Sequence, residues 1–314
     1  MIAATPSPLV SVDRLAEWLA EPVPPVVVDL RWYLGRPGDG HAAYLTGHIP
    51  GAIFLDLDDD LADPNGFGAP GRHPLPAPEA FTARMAAAGI GDGARVVGYD
   101  DVGGWVAARL WWMLDNLGFG RRGTACEYVG VLDGGIGAWT ATGHGLETDV
   151  PRAPAHPGRL TLEGPWSRVI ARGELRGRLG SVTLLDARGA PRYRGEVEPV
   201  DPIAGHIPTA LSAPYDTNLG ADGMLLDAAA LTGRYADLGI TTGVGGAGPE
   251  TVISCGSGTS ACHHALAMRV AGLPDPILYV GSYSDWSRSG EPIATGAEPG
   301  VAPPAGPPPT PRSY

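Results

Sequence analysis

GHIPGA at residues 47–52 recurs as GHIPTA at residues 205–210, and the flanking sequence recurs with it. VVVDLR, containing Asp29, returns as TLLDAR, containing Asp186. The helix-ending AAAGI (Gly89, Ile90) returns as ADLGI (Gly239, Ile240). VLDGGIGAW returns as LYVGSYSDW, aligning Trp139 with Trp286. The order is kept and the spacing drifts around roughly 150 residues, a period the size of a domain and too long for a solenoid. The chain therefore reads as two copies of one domain. The expected boundaries are an N-terminal domain over 1–146, a Pro- and Gly-rich linker over 147–164, a C-terminal domain over 165–296 and a Pro-rich, disordered tail over 297–314.

Each copy alternates strands and helices. Ser11 is placed to cap a helix that carries Leu15, Trp18 and Leu19 on one face. Short apolar runs at 26–30, 95–99 and 129–132 read as buried strands, and helices are expected from Pro78 to Gly89 and through Val106, Leu110, Met113 and Leu114. The second copy gives strands at 182–185, 251–254 and 277–280 and helices at 227–238 and 261–271. The fold class is α/β, two tandem domains each with a mainly parallel sheet flanked by helices. In such sheets ligands bind beyond the carboxyl ends of the strands.

Composition narrows the function classes. The 314 residues allow two or three domains, and 44% apolar against 18% charged residues excludes wholesale disorder. A net charge of −12 argues against a nucleic-acid or anionic-membrane partner. No long apolar run suggests a membrane span, and the first twenty residues lack a basic, apolar leader. Three cysteines (Cys126, Cys255, Cys262) make no disulfide framework and no CxxC pair, so no structural zinc site is expected. That usage suits a reducing, cytoplasmic setting.

The chemistry concentrates after the strand at 251–254. Cys255-Gly256-Ser257-Gly258-Thr259-Ser260 leads directly into a helix. The glycines permit turns that aim successive N–H groups inward, and the helix N-terminus adds positive potential. Both favour a thiolate, the nucleophilic form of cysteine, and a persulfide anion carried on it. At the matching position copy one has Asp100, in GYDD, which cannot carry sulfur.

These motifs together resemble the two-domain rhodanese-type sulfurtransferases, from Val10 to Thr295. The resemblance implies a Cys255 persulfide in the C-terminal domain, a catalytically inactive N-terminal domain, and a ping-pong transfer, needing neither a metal nor an organic cofactor, from a small sulfur donor to cyanide, a small thiol or thioredoxin. Members acting on thiosulfate carry basic residues after the cysteine, whereas those acting on 3-mercaptopyruvate read Cys-Gly-Ser-Gly, as here. The resemblance therefore favours 3-mercaptopyruvate, with thiosulfate sulfurtransferase as the alternative. It implies a proton relay of Ser257, His73 (in GRHPLP) and Asp58 (in LDLDDD), and a donor-binding set of Arg192, Gly256, Gly258, Thr259 and Ser260. The family's second substrate arginine follows a Glu-Pro pair; here Glu198-Pro199 is followed by Val200, leaving Arg194 as a substitute. A loop-cysteine phosphatase is disfavoured because the sixth residue after Cys255 is Ala261, not arginine. A non-catalytic binding module would be expected to lack the cysteine.

Overall fold

The structure, a computed structural model, describes residues 7–63, 71–120, 127–151, 158–161, 164–241 and 249–304. Its contacts divide the chain into two units, each built on a five-stranded, wholly parallel sheet.

The first unit contains β1 (Leu9–Val10), α1 (Val12–Leu19), β2 (Val26–Asp29), α2 (Asp39–Thr46), β3 (Ile53–Phe54), α3 (Pro78–Ala87), β4 (Arg95–Tyr99), α4 (Trp105–Asn116), β5 (Tyr128–Leu132) and α5 (Gly135–Ala141). Its strand order is β1-β5-β4-β2-β3. Ser11 caps α1 by accepting from the Arg14 N–H at 3.2 Å. Val27, Val97 and Leu132 from three strands meet Leu15 and Trp139 in one buried cluster.

The second unit contains β6 (Val169–Ile170), α6 (Arg172–Arg178), β7 (Thr183–Asp186), α7 (Ala190–Arg194), β8 (Ala210–Ser212), a 3-10 turn (Tyr215–Asn218), α8 (Ala228–Asp237), β9 (Thr251–Ser254), α9 (Ala261–Val270), β10 (Ile277–Tyr279) and α10 (Ser282–Trp286). Its order, β6-β10-β9-β7-β8, repeats that of the first unit. Leu184, Val252, Tyr279 and Trp286 share its core.

The repeated motifs do the same work twice. Asp29 at the end of β2 takes the Arg31 guanidinium in a fork, and Arg31 Nη2 also donates to the Gly47 carbonyl at 2.8 Å. Asp186, Arg188 and the Gly205 carbonyl reproduce this, the last at 2.7 Å. The GHIP histidines each stack on a tyrosine, His48 on Tyr44 at 4.0 Å and His206 on Tyr193 at 3.8 Å. Their Nδ1 atoms donate to the carbonyls of the same tyrosines. GHIP is thus a fold signature, tying the helix before it to the strand after it.

The contact units depart from the expected boundaries in three places. Asp63 and residues 71–75 belong with the second unit, while residues 165–167 and Gly220–Leu225 belong with the first. The expected linker is also packed where it is described: Glu147 pairs with His48 in an antiparallel bridge, and the Arg159 carbonyl accepts from the Asp92 N–H at 2.6 Å. In the expected tail, the Pro299 carbonyl accepts from the Thr209 N–H and the Pro304 carbonyl from Arg176, so order extends past Ala297. Proline leaves its carbonyl as an acceptor, which suffices to dock such a segment. The remainder of the tail, 305–314, lies outside the described residues, as does Cys126.

Candidate active site

The site grows from the carboxyl end of β9. Asp186 pairs in register with Ser254, as Asp29 does with Tyr99, so Cys255 and Asp100 are the first residues beyond equivalent strands. In the first unit the loop folds around the Asp100 carboxylate, which accepts from the N–H groups of Val102, Gly104, Val106 and Ala107 at 2.7–3.1 Å. Burial pushes that carboxyl above its usual range, and the four donors oppose the shift. In the second unit the loop closes on sulfur. Cys255 Sγ accepts from the Gly258 N–H at 3.1 Å and the Ser257 N–H at 3.4 Å. Both copies therefore build an anion cradle from backbone N–H groups, one around a carboxylate and one around a thiol.

The cradle's backbone is over-determined. Gly258 has φ +81°, and a Cβ there would meet the Val280 carbonyl at 2.5 Å, so only glycine fits. From the start of α10, the Tyr283 and Ser284 N–H groups donate to the carbonyls of Cys255 and Gly256 at 2.9 Å. Ser282 Oγ accepts from the Cys255 N–H at 3.1 Å and donates to the Tyr279 carbonyl at 2.9 Å. Ser282 does so with φ 50°, a left-handed conformation that costs a non-glycine residue free energy. Its first-copy counterpart is Gly135, with φ 57°. The second unit thus places a hydroxyl, at a backbone cost, where the first has none.

Three of the expected residues meet at this loop. His73 Nδ1 is 2.7 Å from Ser257 Oγ and 3.4 Å from Thr259 Oγ1. All three are buried, and His73 belongs with the second unit although it precedes most of the first domain's sequence. With its proton on Nε2, His73 accepts from the Ser257 hydroxyl. Ser260 stands at the N-cap of α9 without a side-chain capping bond. Cys262 is buried and directs its thiol to the Gly258 carbonyl at 3.4 Å.

The arginines separate. Arg192, in α7, is held by Glu198 (Nη2 to Oε1 2.6 Å, Nε to Oε2 3.2 Å) and by Asp201 at 3.3 Å. Burial alone would raise the Glu198 carboxyl, but Arg192 and the N–H groups of Asp201 and Val200 hold it below the usual range. Arg192 reaches the loop: a Cβ on Gly256 would lie 3.6 Å from its Nη1. Arg194 is spent elsewhere, in a forked pair with the exposed Glu196 at 2.6 and 2.8 Å. The second guanidinium at Gly256 is Arg72, whose Nη2 would lie 2.7 Å from that Cβ. Sequence reasoning passed over Arg72, although it precedes His73 directly. The loop's own side chains are neutral, as expected, but two other segments bring cations to it.

Asp58 belongs to the first unit, where its carboxylate accepts from Trp32 Nε1 at 2.8 Å.

The family model for the Rhodanese-like domain matches residues 11–142 and 171–289. Over 291 residues the chain is 42% identical to the Pseudomonas aeruginosa protein named "Probable 3-mercaptopyruvate sulfurtransferase", covering 92% of this chain and 98% of that one. A Mycobacterium tuberculosis protein bearing the name of a thiosulfate sulfurtransferase, SseB, is 40% identical, covering 89% of this chain and 93% of that one. Among solved structures, the 3-mercaptopyruvate sulfurtransferase SseA of Escherichia coli aligns with a TM-score of 0.72 at 30% identity, over 89% of this chain and all of that one. The enzyme from Leishmania major aligns at 0.75 and 28% identity, over 90% of this chain and 74% of that one. The chain belongs to the Rhodanese-like domain family and is a sulfurtransferase with two such domains.

Proposed function

We propose that the enzyme transfers sulfur from 3-mercaptopyruvate to a thiol or cyanide through a persulfide on Cys255. The observation that carries this reading is the 2.7 Å pairing of His73 with Ser257 beside the cradled thiol. Mercaptopyruvate carries a thiol proton and leaves as a carbanion that must be protonated. Thiosulfate has no proton to relocate, so a buried hydroxyl–imidazole pair serves the first donor.

In the first half-reaction the Cys255 thiolate attacks the donor sulfur. A sulfur–sulfur bond forms, the carbon–sulfur bond breaks, and its electron pair leaves on carbon as the pyruvate enolate. The donor's thiol proton passes by way of Ser257 and His73 to that enolate, giving pyruvate and a Cys255 persulfide anion. The N–H groups of Ser257 and Gly258 that now face Sγ are placed to hold that charge. In the second half an acceptor thiolate takes the outer sulfur and Cys255 leaves as thiolate. We assign Arg192 to the donor carboxylate, with Gly256, Gly258, Thr259 and Ser260 shaping the pocket. Asp58 enters as the third relay member on the family resemblance alone, to be tested by whether Asp58→Asn adds to the loss caused by His73→Gln. Arg194, engaged with Glu196, drops behind in this reading. A thioredoxin or a small thiol is the proposed acceptor and the cytoplasm the proposed setting, supported by the unbridged Cys255 and Cys262. Among the described residues no helix is long and apolar enough to cross a membrane.

Thiosulfate remains the second reading, favoured by the two guanidiniums over the neutral loop and by the Mycobacterium relative. Measuring kcat/KM for both donors on one preparation decides between them. A higher value for 3-mercaptopyruvate is expected, and a higher value for thiosulfate reverses the ranking.

A further inference from the structure

We infer that Arg72 is the second half of the donor-carboxylate clamp, paired with Arg192 across Gly256. The inference rests on the donor reading above and names the residue that completes its anion site.

Arg72 and Arg192 come from segments far apart in sequence, yet both reach the same point of the cysteine loop. Arg72 Nη1 is committed to Asp201, while Nη2 is turned to Gly256. Asp201 has a fully buried side chain and ties Arg72, Arg192 and Arg288 together. It thereby holds the two forks at a set separation before any ligand arrives, which lowers the entropy cost of binding. Charge points the same way. The connected cluster holds four guanidiniums (Arg72, Arg188, Arg192, Arg288) against three carboxylates (Asp186, Glu198, Asp201), leaving one positive charge for an incoming anion. Arg72 Nε is buried and has no hydrogen-bond partner among the described residues, so the side chain's donor capacity is not met within the protein.

Gly256 makes room for this arrangement. A side chain there would start 2.7 Å from Arg72 Nη2, so residue 256 and Arg72 compete for one space. The second cation at this loop comes from the residue before His73, not from the loop itself. The ligand class is a small monocarboxylate with its reacting atom within reach of Cys255, and a planar fork suits it better than a point charge.

The test uses alkylation of Cys255 by iodoacetate and by iodoacetamide, which share a reacting carbon and differ in the carboxylate. It reads the anion site without sulfur transfer, so its failure is distinguishable from failure of the donor reading. In Arg72→Gln the iodoacetate rate is expected to fall roughly 10- to 100-fold, the size of a lost charge-assisted hydrogen bond. The iodoacetamide rate should stay within about 2-fold, which also reports an intact cradle. In turnover, KM for 3-mercaptopyruvate should rise by a similar factor while kcat changes little. Arg72→Lys keeps the charge without the fork and should fall between the wild type and Arg72→Gln in the iodoacetate-to-iodoacetamide ratio. An unchanged ratio in either folded variant overturns the assignment.

Discussion

Nδ1 of His73 lies 2.7 Å from the hydroxyl oxygen of Ser257, a residue 184 positions further along the chain, and both belong to the second unit. A buried imidazole in contact with a loop hydroxyl can move a proton without opening the site to water. Replacing His73 with Gln keeps most of the volume and removes the base. The expected result is a fall in kcat for 3-mercaptopyruvate of roughly 100-fold with KM within a few-fold, checked by steady-state kinetics. An unaltered kcat would remove the relay.

Cys255 and Cys262 are both buried, but only Cys255 sits in the N–H cradle. After incubation with donor and no acceptor, intact-mass spectrometry should show the gain of one sulfur atom on the wild type and on Cys262→Ser. Cys255→Ser should show none. Sulfur retained on the Cys255 variant would sink the mechanism.

Arg192→Ala should lower kcat/KM for 3-mercaptopyruvate by roughly 10- to 150-fold, mainly through KM, because it removes a charge-assisted partner of the donor carboxylate. Arg194→Ala should leave it within about 2-fold, since that guanidinium is paired with exposed Glu196. The reverse ranking in a parallel titration would move the clamp.

His264 makes stability depend on pH. Its Nε2 donates to the Ala213 carbonyl at 2.7 Å and its Nδ1 takes the Tyr235 hydroxyl at 2.8 Å, an arrangement that requires the neutral ring. Burial pushes its pKa down to about 4 from the ordinary 6.5. Between those values the unfolded chain binds the extra proton, so stability rises with pH there and is lost on acidification. The loss should be about 2 kcal/mol between pH 7.5 and pH 5. Urea midpoints measured across that range should fall for the wild type and flatten for His264→Gln. Equal slopes for the two proteins would remove His264 as the source.

Much of this architecture was legible in the residues. The doubled GHIP and DxR motifs marked two copies, and the strands around Val27, Val97, Leu184 and Val252 stood out as short apolar runs. Cys255 was found by its place after a strand and before glycines. The two-residue strands β1, β3 and β6 escaped because a period cannot be read from two positions. Helices α2 and α7, only eight and five residues long, carry too little pattern of their own.

What the amino-acid sequence determined by itself is what depends on near neighbours: periodicity, caps, the glycine turn at 256–258 and the repeat. The tertiary structure alone decided which distant groups share the loop. It brought Arg72 beside Arg192 at Gly256, seated residues 71–75 with the second unit, and set Ser282 in a left-handed conformation under the Cys255 N–H. None of these follows a spacing rule. Each depends on which packed segments end at the same point in space, and that is settled only when the sheets and their helices close around a common core.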